Sequence, residues 1–129
     1  MQIFEKTITV SKDDLDQLNH VNNVRYVQWV QDMAEAHWLK NASEDIRNSY
    51  FWVLVQHTIN YKDEAVLGDV LNLKTFVSKS EGITSIRHVE IYNSKTGKHL
   101  VTSETKWCLM AINSKRPTRI TEEIVTLFQ

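Results

Sequence analysis

Glycine, proline and cysteine are scarce in this chain. It has three glycines and one proline in 129 residues, too few for the Gly-rich loops that many proteins fold around phosphate groups. The single cysteine, Cys108, excludes an intrachain disulfide and favours a reducing compartment such as the cytoplasm. The first ten residues lack an apolar core of signal-peptide length, and no apolar run approaches the ~20 residues of a membrane-spanning helix. We therefore expect a cytoplasmic protein with no membrane partner.

The chain also lacks an excess of charge of one sign. Fifteen basic and 16 acidic residues give a formal net charge of −1, which provides no overall attraction for nucleic acid or anionic membranes. An anionic partner must then be bound by a local patch. Hydrophobic residues make up 42% of the chain, enough for a packed core. The length favours one domain over residues 1–129.

Five segments have the pattern of β-strands. They are rich in Val, Ile, Thr and aromatic residues and, after the first, are separated by short turn signals. The predicted strands are residues 3–10, 50–63, 69–79, 82–94 and 98–113. Short connections join antiparallel neighbours, because a parallel crossover needs a dozen or more residues. The last segment, 119–128, favours either a short helix capped by Thr121 or a final edge strand.

One long helix is predicted between the first two strands. Asn22 and Asn23 are good N-cap residues, and two adjacent apolar rows follow at helical spacing. These rows contain Val24, Val27, Val30, Ala34 and Trp38, and Tyr26, Trp29, Val30 and Met33. Such a helix is apolar over more than half its circumference and is expected to be wrapped by other elements. The pattern predicts an α+β fold in which a curved antiparallel sheet surrounds one long helix.

Three segments resemble acyl-thioesterases in the order in which they occur along the chain. DLDQLNHVNNVRYVQW (14–29) resembles the loop-to-helix segment of plant acyl-carrier-protein thioesterases and of bacterial thioesterases of the 4-hydroxybenzoyl-CoA type. INYKDEAVLGDVLNL (59–73) and TKWCLMAINSKRPTRI (105–120) are similar to the second segment and the last strand of the same family. The resemblance implies the hotdog fold, thioester hydrolysis and no cofactor or metal.

The resemblance also implies a set of catalytic residues. Position by position, the acid and the histidine of the first segment fall on Asp16 and His20. Aligned on its tyrosine, the second segment places the catalytic glutamate of the plant enzymes on Glu64. The sequence departs from the plant pattern twice, with Leu18 in place of an asparagine and Ala65 in place of a cysteine.

These residue types suit the hydrolysis of a thioester. The leaving thiolate needs little help, because thiols have pKa values of about 8 to 9. A carboxylate, either Asp16 or Glu64, would act as base or nucleophile, and His20 would orient substrate or water. The amides of the first helical turn, near Asn23, would polarise the carbonyl. The sequence leaves open which acid is the base.

Further residues are candidates for substrate binding. The inner face of the helix would line an acyl site, and a basic cluster would meet the phosphates of coenzyme A or the acids of a carrier protein. The candidates are Asn22, Tyr26, Trp29 and Met33 near the acyl group, and Lys115, Arg116 and Arg119 in the basic cluster. The chain length of the acyl group and the choice between coenzyme A and acyl carrier protein stay open.

Two other functions fit a hotdog protein. One is a dehydratase or hydratase of acyl thioesters, and the other is a non-catalytic module that binds an acyl thioester; the departure at Leu18 keeps the second one open. Hotdog chains typically pair their sheets edge to edge, so a homodimer or homotetramer is expected.

Overall fold

The computed structural model describes residues 1–129 and contains one sheet, three α-helices and a short 3-10 helix (Lys12–Asp14). The strands are β1 (Phe4–Thr9), β2 (Tyr50–Tyr61), β3 (Val70–Glu81), β4 (Thr84–Asn93) and β5 (His99–Ala111). The helices are α1 (Asn23–Asn41), α2 (Glu44–Ser49) and α3 (Glu122–Thr126). All five predicted strands are present within a few residues of their predicted bounds. None of the three helices has the length and apolar character needed to cross a membrane.

The sheet is antiparallel throughout, with strand order β1-β3-β4-β5-β2. Short turns connect β3, β4 and β5 into a meander, whereas β1 and β2 form the two edges. A row of buried side chains crosses the sheet, because Leu73 pairs with Ile91 and Ile91 pairs with Val101. This row packs against α1 in the main core. The architecture confirms the predicted α+β hotdog fold.

Helix α1 buries one narrow stripe. Tyr26, Val30, Met33 and His37 are each at most 2% exposed, and their spacing of four, three and four residues places them on one face. The helix is enclosed less than its sequence predicts, since Val24 is 73% exposed. The physical reason is that the sheet of one chain covers one side of α1 and leaves the other side open.

A second, smaller hydrophobic core includes residues of α2, α3 and β5. Its buried members are Ala42, Ile46, Leu109, Ile120 and Ile124. The side chain of Thr121 accepts the N–H of Ile124 and caps α3, which decides between the two predicted alternatives in favour of the helix. Helix α2, in which Ile46 is the buried residue, was not predicted from the sequence.

Candidate active site

Asp16 shapes the loop that precedes α1. Its Oδ1 accepts the backbone N–H groups of Leu18 at 2.8 Å and of His20 at 3.2 Å, and its own N–H donates to the carbonyl of His20 at 2.8 Å. The loop turns through Asn19, whose φ of 64° lies in the left-handed region that asparagine tolerates better than most residues. The Asp16 side chain therefore fixes the direction in which His20 leaves the loop.

The loop is joined to the turn between β2 and β3. His20 forms an isolated antiparallel bridge with Val66, and the N–H of Val21 donates to the carbonyl of Ala65 at 2.9 Å. This pairing brings His20 Nε2 within 2.6 Å of Glu64 Oε2. The two side chains are 38% and 58% exposed, so solvent and a substrate can reach them.

Helix α1 begins at Asn23, three residues after His20. Asn22 is the N-cap, and its Oδ1 accepts the N–H of Val24 at 3.0 Å. The N–H groups of Arg25 and Tyr26 donate to the carbonyl of Asn22, whereas the Asn23 N–H has no acceptor in the protein. The first turn of α1 thus offers a ligand the free N–H of Asn23 and the positive end of the helix dipole.

Asp63 and Lys98 support the position of Glu64. Asp63 Oδ1 accepts the N–H of Glu64 at 2.8 Å, and its Oδ2 lies 2.9 Å from Lys98 Nζ. The hydrogen bond from Lys98, followed by that from the Glu64 N–H, holds the pKa of Asp63 below its ordinary value. This pair was not predicted from the sequence, although Asp63 directly precedes Glu64 and Lys98 directly follows a recognisable hairpin turn.

The residues predicted to bind the acyl group lie mainly in the core. Tyr26 and Met33 are 2% exposed and belong to the main hydrophobic cluster, and Trp29 packs against that cluster. Tyr26 meets Trp29 edge to face at 5.5 Å and Tyr61 at 6.0 Å. The Tyr26 hydroxyl is buried without a hydrogen-bond partner, and burial raises its pKa to about 12. A role in acyl binding stays a prediction for these three residues.

The predicted basic cluster lies far from Glu64 within the chain. Lys115, Arg116 and Arg119 are exposed and follow the end of β5 that pairs with Tyr50. Glu64 follows the opposite end of β2, a strand of 12 residues. At ~3.3 Å per residue the two ends are roughly 35 Å apart. One chain therefore does not bring the cluster to the His20–Glu64 pair.

A separate cavity of about 340 Å³ opens between the exposed side of α1 and strands β2, β4 and β5. We name it the aromatic cavity; its lining includes Trp38, Phe51, Trp52, Arg87, Trp107 and Phe128. None of the predicted substrate-binding residues lines it. No group of three or more His, Cys, Asp or Glu side chains is placed to hold a metal ion.

The chain matches the family model of the acyl-ACP thioesterase N-terminal domain over residues 1–128. It belongs to this thioesterase family. Its activity is the hydrolysis of an acyl thioester, and family membership favours that function over the dehydratase and the non-catalytic module. No curated protein sequence matches the chain.

Solved structures share the fold of this thioesterase. The probable thioesterase YbaW of Escherichia coli has 23% identity and a TM-score of 0.81, over 95% of this chain and 94% of that one. SAV2348 of Staphylococcus aureus, in complex with CoA, has 20% identity and a TM-score of 0.87, over 98% and 81%. The 12:0-ACP thioesterase of Umbellularia californica has 15% identity and a TM-score of 0.84, over 98% of this chain and 51% of that one.

Proposed function

We propose that Glu64 is the general base of this thioesterase. It would take a proton from a water molecule, and His20 would orient Glu64 and the water. The observation that carries the proposal is the 2.6 Å contact between His20 Nε2 and Glu64 Oε2, beside the free amide at the start of α1. Asp16 becomes a positioning residue, because its Oδ1 accepts two backbone N–H groups of the loop, whereas Glu64 is the carboxylate that contacts the His20 ring.

The carbonyl oxygen of the substrate would accept the Asn23 N–H. That amide lacks an acceptor in the protein, and the helix dipole favours negative charge at this place. As water attacks, the carbonyl oxygen becomes an oxyanion, and a donor of this kind contributes about 3 to 4 kcal/mol to stabilising it. The thiolate then leaves without strong acid assistance.

The carrier end of the substrate would be bound by a partner subunit. Strand β2 is an edge strand, and Val53 and Val55 on it are 39% and 53% exposed, as expected for a surface that is covered in an assembly. Antiparallel pairing of two β2 edges would bring the end near Tyr50 of one chain to the end near Tyr61 of the other. The basic cluster of one subunit would then lie close to the active site of its partner.

This arrangement predicts at least a homodimer. A homotetramer would contain two such dimers. Coenzyme A and acyl carrier protein both present phosphate to such a cluster, and both stay candidate carriers. The 12:0-ACP named for the plant relative stays a candidate substrate. A cytoplasmic location also stays a prediction.

The test is a thiol-release assay of the wild type and Glu64→Gln. Acyl-CoAs from acetyl to palmitoyl are compared with the same acyl groups on acyl carrier protein, and Glu104→Gln, an exposed acid on β5, serves as the matched control. We expect Glu64→Gln to lose about 10² to 10⁴ in kcat while the control keeps wild-type activity. Wild-type activity in Glu64→Gln would remove Glu64 from the mechanism.

A further inference from the structure

Arg87 is a buried cation without a counter-ion. It is 5% exposed and forms no salt bridge. Burial lowers its pKa to about 10, which still leaves the guanidinium charged at neutral pH. Because a buried unpaired charge is costly, proteins seldom keep one without a partner or a ligand. Arg87 lines the aromatic cavity, so a ligand there can reach it.

Only one nitrogen of the guanidinium is engaged by the protein. Arg87 Nη1 donates to His37 Nδ1 at 2.9 Å and to Thr75 Oγ1 at 3.0 Å, which uses both of its hydrogens. The ring of Phe128 lies 5.1 Å from Cζ. The Nε–H and Nη2–H groups have no acceptor in the protein, and together they form the edge of the guanidinium that recognises a carboxylate bidentately.

His37 holds this guanidinium in place. Burial, followed by the charges of Arg87 and Lys40, lowers the pKa of His37 to about 4, so the ring is neutral at pH 7. Its Nδ1 then accepts from Arg87 while its Nε2–H donates to Gln2 Oε1 at 2.7 Å. The ring stacks on Phe4 at 5.1 Å. A fixed donor loses little conformational entropy when a ligand binds.

The rest of the cavity suits a compact apolar body beside that charge. Arg87 is the one cation in the lining, and three tryptophans line the same cavity. The acids of the lining, Asp32 and Glu35, lie on the exposed side of α1, and neither pairs with Arg87. Asp32 instead accepts from Gln28 Nε2 at 2.8 Å.

We propose that the aromatic cavity binds a small monocarboxylic acid, with its carboxylate on the free edge of Arg87 and its apolar body against the tryptophans. The Arg87 end of the cavity is distinct from the proposed hydrolytic site. His37, which contacts Arg87, lies 37 − 23 = 14 residues after Asn23 on α1, or ~21 Å along the helix. The other end of the cavity reaches Gln28, which lies 28 − 23 = 5 residues after Asn23.

The ligand class corresponds to the product of thioester hydrolysis. Hydrolysis converts a neutral thioester into a free carboxylate, so a site built on Arg87 distinguishes the released acid from the substrate. The interpretation of the ligand as product rests on the function of the chain, whereas the binding site itself rests on the cavity alone.

Tryptophan fluorescence tests the proposal without any turnover. Trp38, Trp52 and Trp107, three of the four tryptophans, line the cavity. The wild type is titrated with phenylacetate and with phenylacetamide, its neutral isostere. We expect saturable binding of phenylacetate that is about tenfold or more tighter than that of the amide, since a hydrogen bond to a charged group is lost in the amide.

Two variants complete the experiment. Arg87→Met is expected to bind the acid no better than the amide, and Arg47→Met, which removes an exposed arginine of α2, is expected to bind both as the wild type does. Equal affinity of the wild type for acid and amide, or no saturable change with either, would overturn the proposal. Should Arg87→Met fail to fold, the acid–amide comparison in the wild type still decides the question. Neither titration measures hydrolysis. A failure of the proposed hydrolytic mechanism would therefore leave the binding result unchanged.

Discussion

Separate replacement of the two acids tests the roles proposed for Asp16 and Glu64. Asp16→Asn keeps an oxygen that can accept the N–H groups of Leu18 and His20, now at 2.8 and 3.2 Å, but removes the charge. We expect this variant to fold as the wild type does and to lose less than about tenfold in kcat/KM, or about 1.4 kcal/mol. Glu64→Gln removes the base and is expected to lose about 10² to 10⁴, or about 3 to 5 kcal/mol.

Asp16→Ala separates the shape of the loop from its charge. It removes the acceptor of both N–H groups, and because the loop is partly exposed and water can replace a lost partner, we expect a cost of about 1 to 2 kcal/mol. For a chain of this size that corresponds to a fall in Tm of roughly 4 to 7 °C. Thiol release and thermal melts are measured on the same preparations. If Asp16→Asn loses about 10² or more in activity at an unchanged Tm while Glu64→Gln stays near the wild type, Asp16 is the base and the proposed roles are reversed.

Three further predictions concern α1. Asn22→Ala removes the N-cap and should lower the free energy of unfolding by about 1 kcal/mol, whereas Asn22→Asp should keep it; denaturant titration measures both. Met33→Ala, at a residue 2% exposed, should cost about 2 to 5 kcal/mol in the same assay, and a cost below 1 kcal/mol would contradict its place in the core. His37 has a pKa lowered from 6.5 to about 4, so the unfolded chain binds the proton more tightly. Stability should therefore be present above pH 6.5 and fall toward pH 4, by up to about 1.4 kcal/mol per pH unit, and His57, whose pKa burial also lowers, acts in the same direction. Unfolding free energies that are constant from pH 7 to pH 5 would refute this.

The strands were predictable because their pattern is local. The segments rich in Val, Ile and Thr and the turns between them predicted every strand of the sheet. Helix α2 was missed, although Ser43 and the acids Glu44 and Asp45 form a typical helix start. A helix of six residues has too short an apolar pattern to stand out from a loop.

The site was predictable only in part. Family resemblance pointed to His20 and Glu64, but their contact depends on pairing between segments that are 64 − 20 = 44 residues apart in the sequence. Arg87 was missed altogether. It alternates with Val89 and Ile91 on β4, so period-two spacing places it on the buried face. What the sequence could not provide was its lack of a counter-ion, which depends on the positions of side chains from several elements.

The link between the loop and the β2–β3 turn has a consequence for folding. The meander β3-β4-β5 forms from contacts between neighbours, whereas the bridge from His20 to Val66 closes a long stretch of chain that includes all of α1 and β2. Contacts that close so long a stretch form late in folding, because the conformational entropy of the chain is lost before the contact stabilises the structure. After dilution from denaturant, the far-UV signal of the sheet should return before thiol release does. The interval between the two would measure how long the folded sheet exists before the proposed His20–Glu64 pair forms.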